Sequence, residues 1–177
     1  MKRTRSGFTI VELLIVIVII GILAAITIVA YNGIQERARA ASIVTALKKI
    51  DKAFQVKATN DGIATWWTDA QFTGTSNPTI SSVISSTNLK DYLQEEPKIS
   101  GMSDVYSIYD NDGDTYGGCT TAASGVNIIM YQLRSTSLAQ IVDTQLDDGN
   151  LSCGKIRYIP TDGNGAIYYS ISANQTY

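Results

Sequence analysis

Residues 7–30 read GFTIVELLIVIVIIGILAAITIVA. From Phe8 to Ala30 only Thr9, Glu12, Gly21 and Thr27 interrupt the apolar run. At about 1.5 Å per residue it makes a helix roughly 34 Å long, enough to cross a bilayer. Ahead of it stands MKRTRSG, with Lys2, Arg3 and Arg5 and no acid. Positive charge there keeps the N-terminus on the cytoplasmic side and the bulk of the chain outside. A secretory signal has a shorter apolar core followed by a small-residue cut, whereas Ala24-Ala25 lies inside an uninterrupted helical pattern. Glu12 is the odd residue. A carboxylate within a membrane helix costs about 2.5–3.5 kcal/mol on insertion scales, less near an end. It falls four residues after Phe8, on the same helix face.

The string Gly7-Phe8-Thr9-Ile10-Val11-Glu12-Leu13-Leu14 closely resembles the N-terminus of the type IV pilin family, the related pseudopilins included. The resemblance covers about the first third of the chain, to near Lys57. It implies a short basic leader, a cut by a prepilin peptidase after Gly7, and methylation of the new N-terminal residue, Phe8. Glu12 stands at the family's signature position. The resemblance further implies an assembly ATPase and platform machinery as partners. Many members carry a proline near the end of the apolar run. Val29 stands at the matching position, so no proline interrupts hydrogen bonding in the helix there.

The residues support the same chemistry. A cut after Gly7 leaves the apolar segment on the mature chain, which then leaves the bilayer only by burying its surface against other copies. The cut also creates an ammonium at Phe8, a natural partner for a buried Glu12 in the same chain or a neighbour's. Such pairing offsets desolvation poorly unless geometry is good, but it punishes wrong register. The plainer reading of Glu12 is a carboxylate that snorkels to the interface from an ordinary membrane anchor. Gly21 and Ala25 form a small-xxx-small pair that lets helices approach closely. Phe8, Glu12, Gly21 and Ala25 are therefore the expected assembly residues.

Past Ala30 the helical pattern changes style. Ile43, Leu47, Ile50 and Phe54 form one apolar stripe, with Arg37, Arg39, Lys48, Lys49, Lys52 and Lys57 on other faces. One helix from 8 to about 58 is on the order of 75 Å long. Asn60-Asp61-Gly62 ends it. Residues 63–87 read as a polar loop. A short helix fits Leu89–Glu95, and strands fit Val105–Tyr109, Val126–Arg134, Lys155–Ile159 and Ala166–Ser172. Asp162-Gly163-Asn164-Gly165 reads as a hairpin turn between the last two, and Ser137–Leu146 as a helix. The expected fold is α+β: a long N-terminal helix, transmembrane in its first half, packed on a small antiparallel sheet in a pilin-like roll. The expected divisions are a leader at 1–7, a transmembrane and polymerisation helix at 8–30, the amphipathic half of that helix at 31–58, and a globular head at 59–177. About 120 residues suffice for one core, not two.

Charge divides along the same boundary. The chain carries 14 basic and 16 acidic residues, and the leader holds three of the positives, leaving 11 against 16. Residues 8–58 hold six basic and three acidic residues, and the head five and thirteen. A basic helix and an acidic head suit packing between copies, or are simply solvated. An acidic head offers no basic patch for nucleic acid.

Two cysteines, Cys119 and Cys153, fall in the segment expected outside the cytoplasm, where disulfides persist. A bridge closing about 35 residues would contribute roughly 4 kcal/mol on the chain-entropy model. A disulfide-bounded C-terminal region is common in branches of the resembled family; two free thiols are the alternative. Asp110, Asp112 and Asp114 alternate in a spacing able to wrap calcium. The resemblance keeps that reading open, since some pseudopilins bind calcium in this general region. Against it, Thr115 and Thr121 replace the Gly and Glu of an EF-hand loop, and a solvated turn fits as well. No other cofactor is expected. Trp66-Trp67 fits either an exposed contact or burial against the sheet. With no His, neither a His-based triad nor a His metal site can form, and no phosphate-binding glycine loop is present. An enzyme is not expected.

Three functions follow. The first is a structural subunit of a type IV pilus-like filament, a homo-oligomer that also meets other pilins, held in the cytoplasmic membrane as a single-pass precursor and extracellular once assembled. The second is a pseudopilin of a type II secretion or DNA-uptake machine. The third is a membrane-anchored binding module used in adhesion.

Overall fold

A computed structural model describes residues 7–62, 77–86, 88–110 and 127–171. The chain divides into two compact units, Met1–Glu36 and Arg37–Tyr177. In order come helix α1 (Ile10–Asp61), helix α2 (Ile80–Ser86), a 3-10 turn (Asn88–Asp91), strands β1 (Ser107–Asp110) and β2 (Asn127–Met130), helix α3 (Thr136–Leu146), and strands β3 (Ile156–Ile159) and β4 (Ala166–Ser170). The class is α+β, as the sequence leads one to expect.

In the first unit α1 is apolar on every side. Its large apolar side chains from Phe8 to Ile34 are all between 48% and 81% exposed. The helix is long and apolar enough to cross a membrane, and the apolar stretch is not buried within the chain. A helix hydrophobic all round needs lipid or other helices around it. Helical structure runs unbroken through Val29, Asn32 and Gly33, in keeping with the absent proline.

In the second unit the remainder of α1 behaves as a core helix. Ile43, Leu47, Ile50 and Phe54 are all fully buried, so the expected stripe is the packed one. Lys57 pairs with Asp61 at 2.6 Å in the last turn. Gly62 then takes φ +64, a left-handed conformation that glycine adopts without a side-chain clash and that ends helices.

The sheet has the order β1-β2-β4-β3, every pair antiparallel. Register places Tyr109 beside Ile128, Ile128 beside Tyr169, and Tyr169 beside Ile156. With side chains alternating along each strand, this row shares one face with Met130, Ile167 and Tyr158, and all of them join the α1 stripe in the main core. Phe54 stacks on Tyr109 with centroids 5.0 Å apart. The opposite face gathers Ile108, Ile129, Ala166 and Tyr168 in a smaller cluster. There Arg157, buried, donates to Asn127 Oδ1 and Ser170 Oγ, both at 2.8 Å.

Three elements differ from expectation. The segment 80–86, expected as loop, is helical. Thr79 caps it, its hydroxyl accepting from Ser82 N at 3.1 Å. Ile80, Val83 and Ile84 all turn inward. The helix expected at Leu89–Glu95 shrinks to one 3-10 turn. The Glu96 carboxylate is drawn off instead to Ser107 N and Ser81 Oγ, each at 2.6 Å. Strand β2 stops at Met130 rather than Arg134, because Gln132 and Arg134 adopt positive φ. Their N–H groups there bond to the carbonyls of Gly163 and Asn164 in the hairpin turn.

Candidate processing and assembly site

The site is the start of α1. Gly7, Phe8 and Thr9 precede the first helical residue, Ile10. The Thr9 carbonyl accepts the first helical hydrogen bond, from Leu13 N at 3.3 Å, which makes Thr9 the cap residue. Its hydroxyl accepts from Glu12 N at 3.3 Å. In return Glu12 Oε2 accepts from Thr9 N at 2.9 Å and from the Thr9 hydroxyl at 2.8 Å. This is a reciprocal capping box, in which cap and third helical residue satisfy each other's free donors. A carboxylate in the first turn also meets the positive end of the helix dipole.

Thr9 is the contact residue that reading for Glu12 alone passes over. Its signal was present, since Thr-x-x-Glu before an apolar run is the capping-box pattern. In the uncut chain Phe8 contributes an amide, and Thr9 is what holds the Glu12 carboxylate. Phe8 itself is 80% exposed.

Gly7 has a normal requirement from neither space nor backbone. A Cβ built there meets nothing within 4 Å, and its φ lies outside the left-handed region. Gly21 is equally open, and Ala25, one turn on, is exposed. The four expected assembly positions thus all lie on open surface of the first unit, with Phe8, Thr9 and Glu12 clustered at the helix start.

Other sites named from the sequence fall elsewhere. Cys153 lies in the loop between α3 and β3, its N–H donating to the Asn150 carbonyl at 3.0 Å. Cys119 is outside the described residues, as are Trp66-Trp67, Asp112 and Asp114. Asp110 ends β1 and is buried.

Comparison with known proteins addresses the same end of the chain. The prokaryotic N-terminal methylation motif matches residues 2–28. Over 45 residues the chain is 53% identical to a type IV major fimbrial protein FimA of Dichelobacter nodosus, a match covering 25% of this chain and 28% of that one. A fimbrial protein of the same organism matches with the same identity and coverage. The chain therefore spans about a quarter of the length of the curated relatives it matches. No solved structure matches the chain. With its methylation motif, its capped Glu12 and an apolar helix bare on all sides, the N-terminal region of this protein is similar to that of type IV major fimbrial proteins.

Proposed function

We propose that this chain is a structural subunit of a type IV pilus-like filament. The observation that carries the reading is the union of two features in one segment. The methylation motif at 2–28 leads into a helix whose apolar side chains find no cover in their own chain. As a precursor the helix sits in the cytoplasmic membrane, with the C-terminal bulk outside. A prepilin peptidase cuts between Gly7 and Phe8 and methylates the new N-terminus. An assembly ATPase with its platform machinery then draws subunits from lipid into a helical homopolymer, which also accepts other pilins.

In this reading 1–7 is the leader, 8–30 the polymerisation helix, 31–58 its amphipathic continuation and 59–177 the displayed head. Gly21 and Ala25 let neighbouring helices approach. The cut frees an ammonium at Phe8, and the Glu12 carboxylate, already oriented by Thr9, turns to meet it. A Cys119–Cys153 bridge braces the head. The role is structural, and the acidic head makes no contact with nucleic acid. No cofactor takes part in assembly.

Intact mass of the native protein, joined to electron microscopy of the cell surface, tests the reading. The expected species is residues 8–177 with one added methyl group and two hydrogens missing for the bridge, recovered from long filaments. A monomer in the membrane with its leader attached would sink the reading in favour of an anchored binding module. Cleaved protein confined to short rods within the envelope would assign it to the pseudopilins instead.

A further inference from the structure

Asp143 lies in the last turns of α3, with Asp147 and Asp148 just beyond its end. One carboxylate oxygen from each falls within 4.8 Å of the other two. Proximity of acids on a surface means little, but Asp143 is not on the surface. It is 0% exposed, and neither of its carboxylate oxygens has a hydrogen-bond partner among the described residues. The Gly149 backbone N–H favours its ionised form, yet no hydrogen bond closes on either oxygen. A buried, unsatisfied carboxylate is costly, and the cost rises beside two more acids. Burial first, then the charges of Asp147 and Asp148, push the Asp143 carboxyl up to about 6.

The two companions are held in place. Asp147 Oδ2 accepts from the backbone N–H of Lys155 and, at 3.1 Å, of Ile156. Gly154, at φ +110, leaves room for that carboxylate, since a Cβ there would run into Asp147 Oδ2. Asp148 Oδ1 accepts from Asn150 N at 2.8 Å. The fold thus aims an unpartnered buried carboxylate at two fixed ones.

We propose that Asp143, Asp147 and Asp148 bind a divalent cation, calcium by preference. The donors are all oxygens, which suits hard cations, and no His exists in the chain for a softer metal. Calcium takes oxygens at 2.3–2.6 Å in loose geometry, so opposed ligands lie about 4.6–5.2 Å apart. Three oxygens within 4.8 Å fit one such sphere. Magnesium demands near-ideal octahedral geometry at about 2.0–2.1 Å and gives up its waters reluctantly, so carboxylates fixed by the fold suit the more tolerant calcium ion better. Asp148 is exposed, so water completes the shell on that side. A modest affinity is expected, Kd on the order of 10⁻⁴–10⁻³ M, as for modules that work outside cells. This site is separate from the alternating acids Asp110, Asp112 and Asp114, and it does not depend on the filament reading.

The test is calorimetric titration of the full chain in detergent with CaCl2, paired with thermal melts in EDTA, in MgCl2 and in CaCl2. Wild type is expected to bind one calcium per chain and to melt higher in CaCl2 than in MgCl2. Asp143→Asn keeps the shape; it is expected to weaken binding at least tenfold and to melt higher than wild type in EDTA. Asp148→Asn weakens binding, whereas Asp114→Asn leaves it unchanged. No calcium effect on wild type at 10 times the upper expected Kd would overturn the proposal. So would undiminished binding in Asp143→Asn, or loss of binding in Asp114→Asn alone.

Discussion

The Tyr169 hydroxyl donates a 2.8 Å hydrogen bond to Asp51 Oδ2 across 118 residues of sequence. Both residues are buried. The bond ties β4 to the second part of α1, and Gln55 Nε2 holds the other oxygen of Asp51 at 2.7 Å. Tyr169→Phe removes the donor and strands a charge. A hydrogen bond to a charged group is worth about 1.5–3 kcal/mol. Loss of that order is expected in urea denaturation, with filament assembly retained at low temperature. Unchanged stability would mean that water replaces the hydroxyl.

Glu12 separates assembly from folding of the second unit. Glu12→Leu removes a carboxylate costing about 2.5–3.5 kcal/mol in a membrane helix, so insertion should improve. Cleavage and the melting temperature of the head should not change, while filaments become sparse or absent. Glu12→Gln should fall between. A normal yield of filaments from Glu12→Leu would show that apolar packing alone sets the register.

Thr9 offers a finer probe of the same corner. Thr9→Ala removes the hydroxyl that both caps α1 and holds Glu12, an effect of about 1 kcal/mol for a lost cap. Thr9→Ser restores the oxygen. Filament yield is expected to fall for alanine and recover for serine. Equal yields from both would mean that the Thr9–Glu12 contact plays no part in assembly.

Gly7→Leu tests processing without disturbing structure, because the surrounding space is empty. The variant should keep its leader and form no filaments, with its melting temperature unchanged. Mass spectrometry of a cleaved Gly7→Leu product would show that the cut does not read this glycine.

Cys153→Ala probes the proposed bridge to Cys119. Loss of a loop of about 35 residues predicts roughly 4 kcal/mol of destabilisation, read as a lower melting temperature under non-reducing conditions. If reductant lowers wild type to the same temperature, the two effects share one cause. Two alkylatable thiols in unfolded native protein would exclude the bridge.

What could be read from the sequence, and what could not, follows the range of the forces involved. The apolar run from Phe8 and the stripe Ile43–Leu47–Ile50–Phe54 were legible because helical periodicity repeats over many turns. Strand positions were legible because Ile128, Tyr109 and Tyr169 favour a pleated sheet. The limit of β2 was not, since Gln132 and Arg134 leave the strand to bond a turn some thirty residues away. The helix at Ile80–Ser86 carries its apolar residues at helical spacing, but four serines made it read as loop. Asp143 was the least legible of all. Nothing local distinguishes it from Asp147 or Asp148, and only tertiary packing buries it.

The bare first part of α1 and the packed second part obey different laws of concentration. Burial of Ile43, Leu47, Ile50 and Phe54 is complete within one chain, so the stability it confers is the same in one subunit as in a thousand. Cover for Ile15, Ile19 or Leu23 must come from other molecules, and is therefore subject to mass action. A pool of subunits in the membrane can then wait fully folded in one part and unsatisfied in the other. Drift in the second stretch of the helix is judged chain by chain, as a matter of folding. Drift in the first is judged only collectively, by every neighbour each subunit meets.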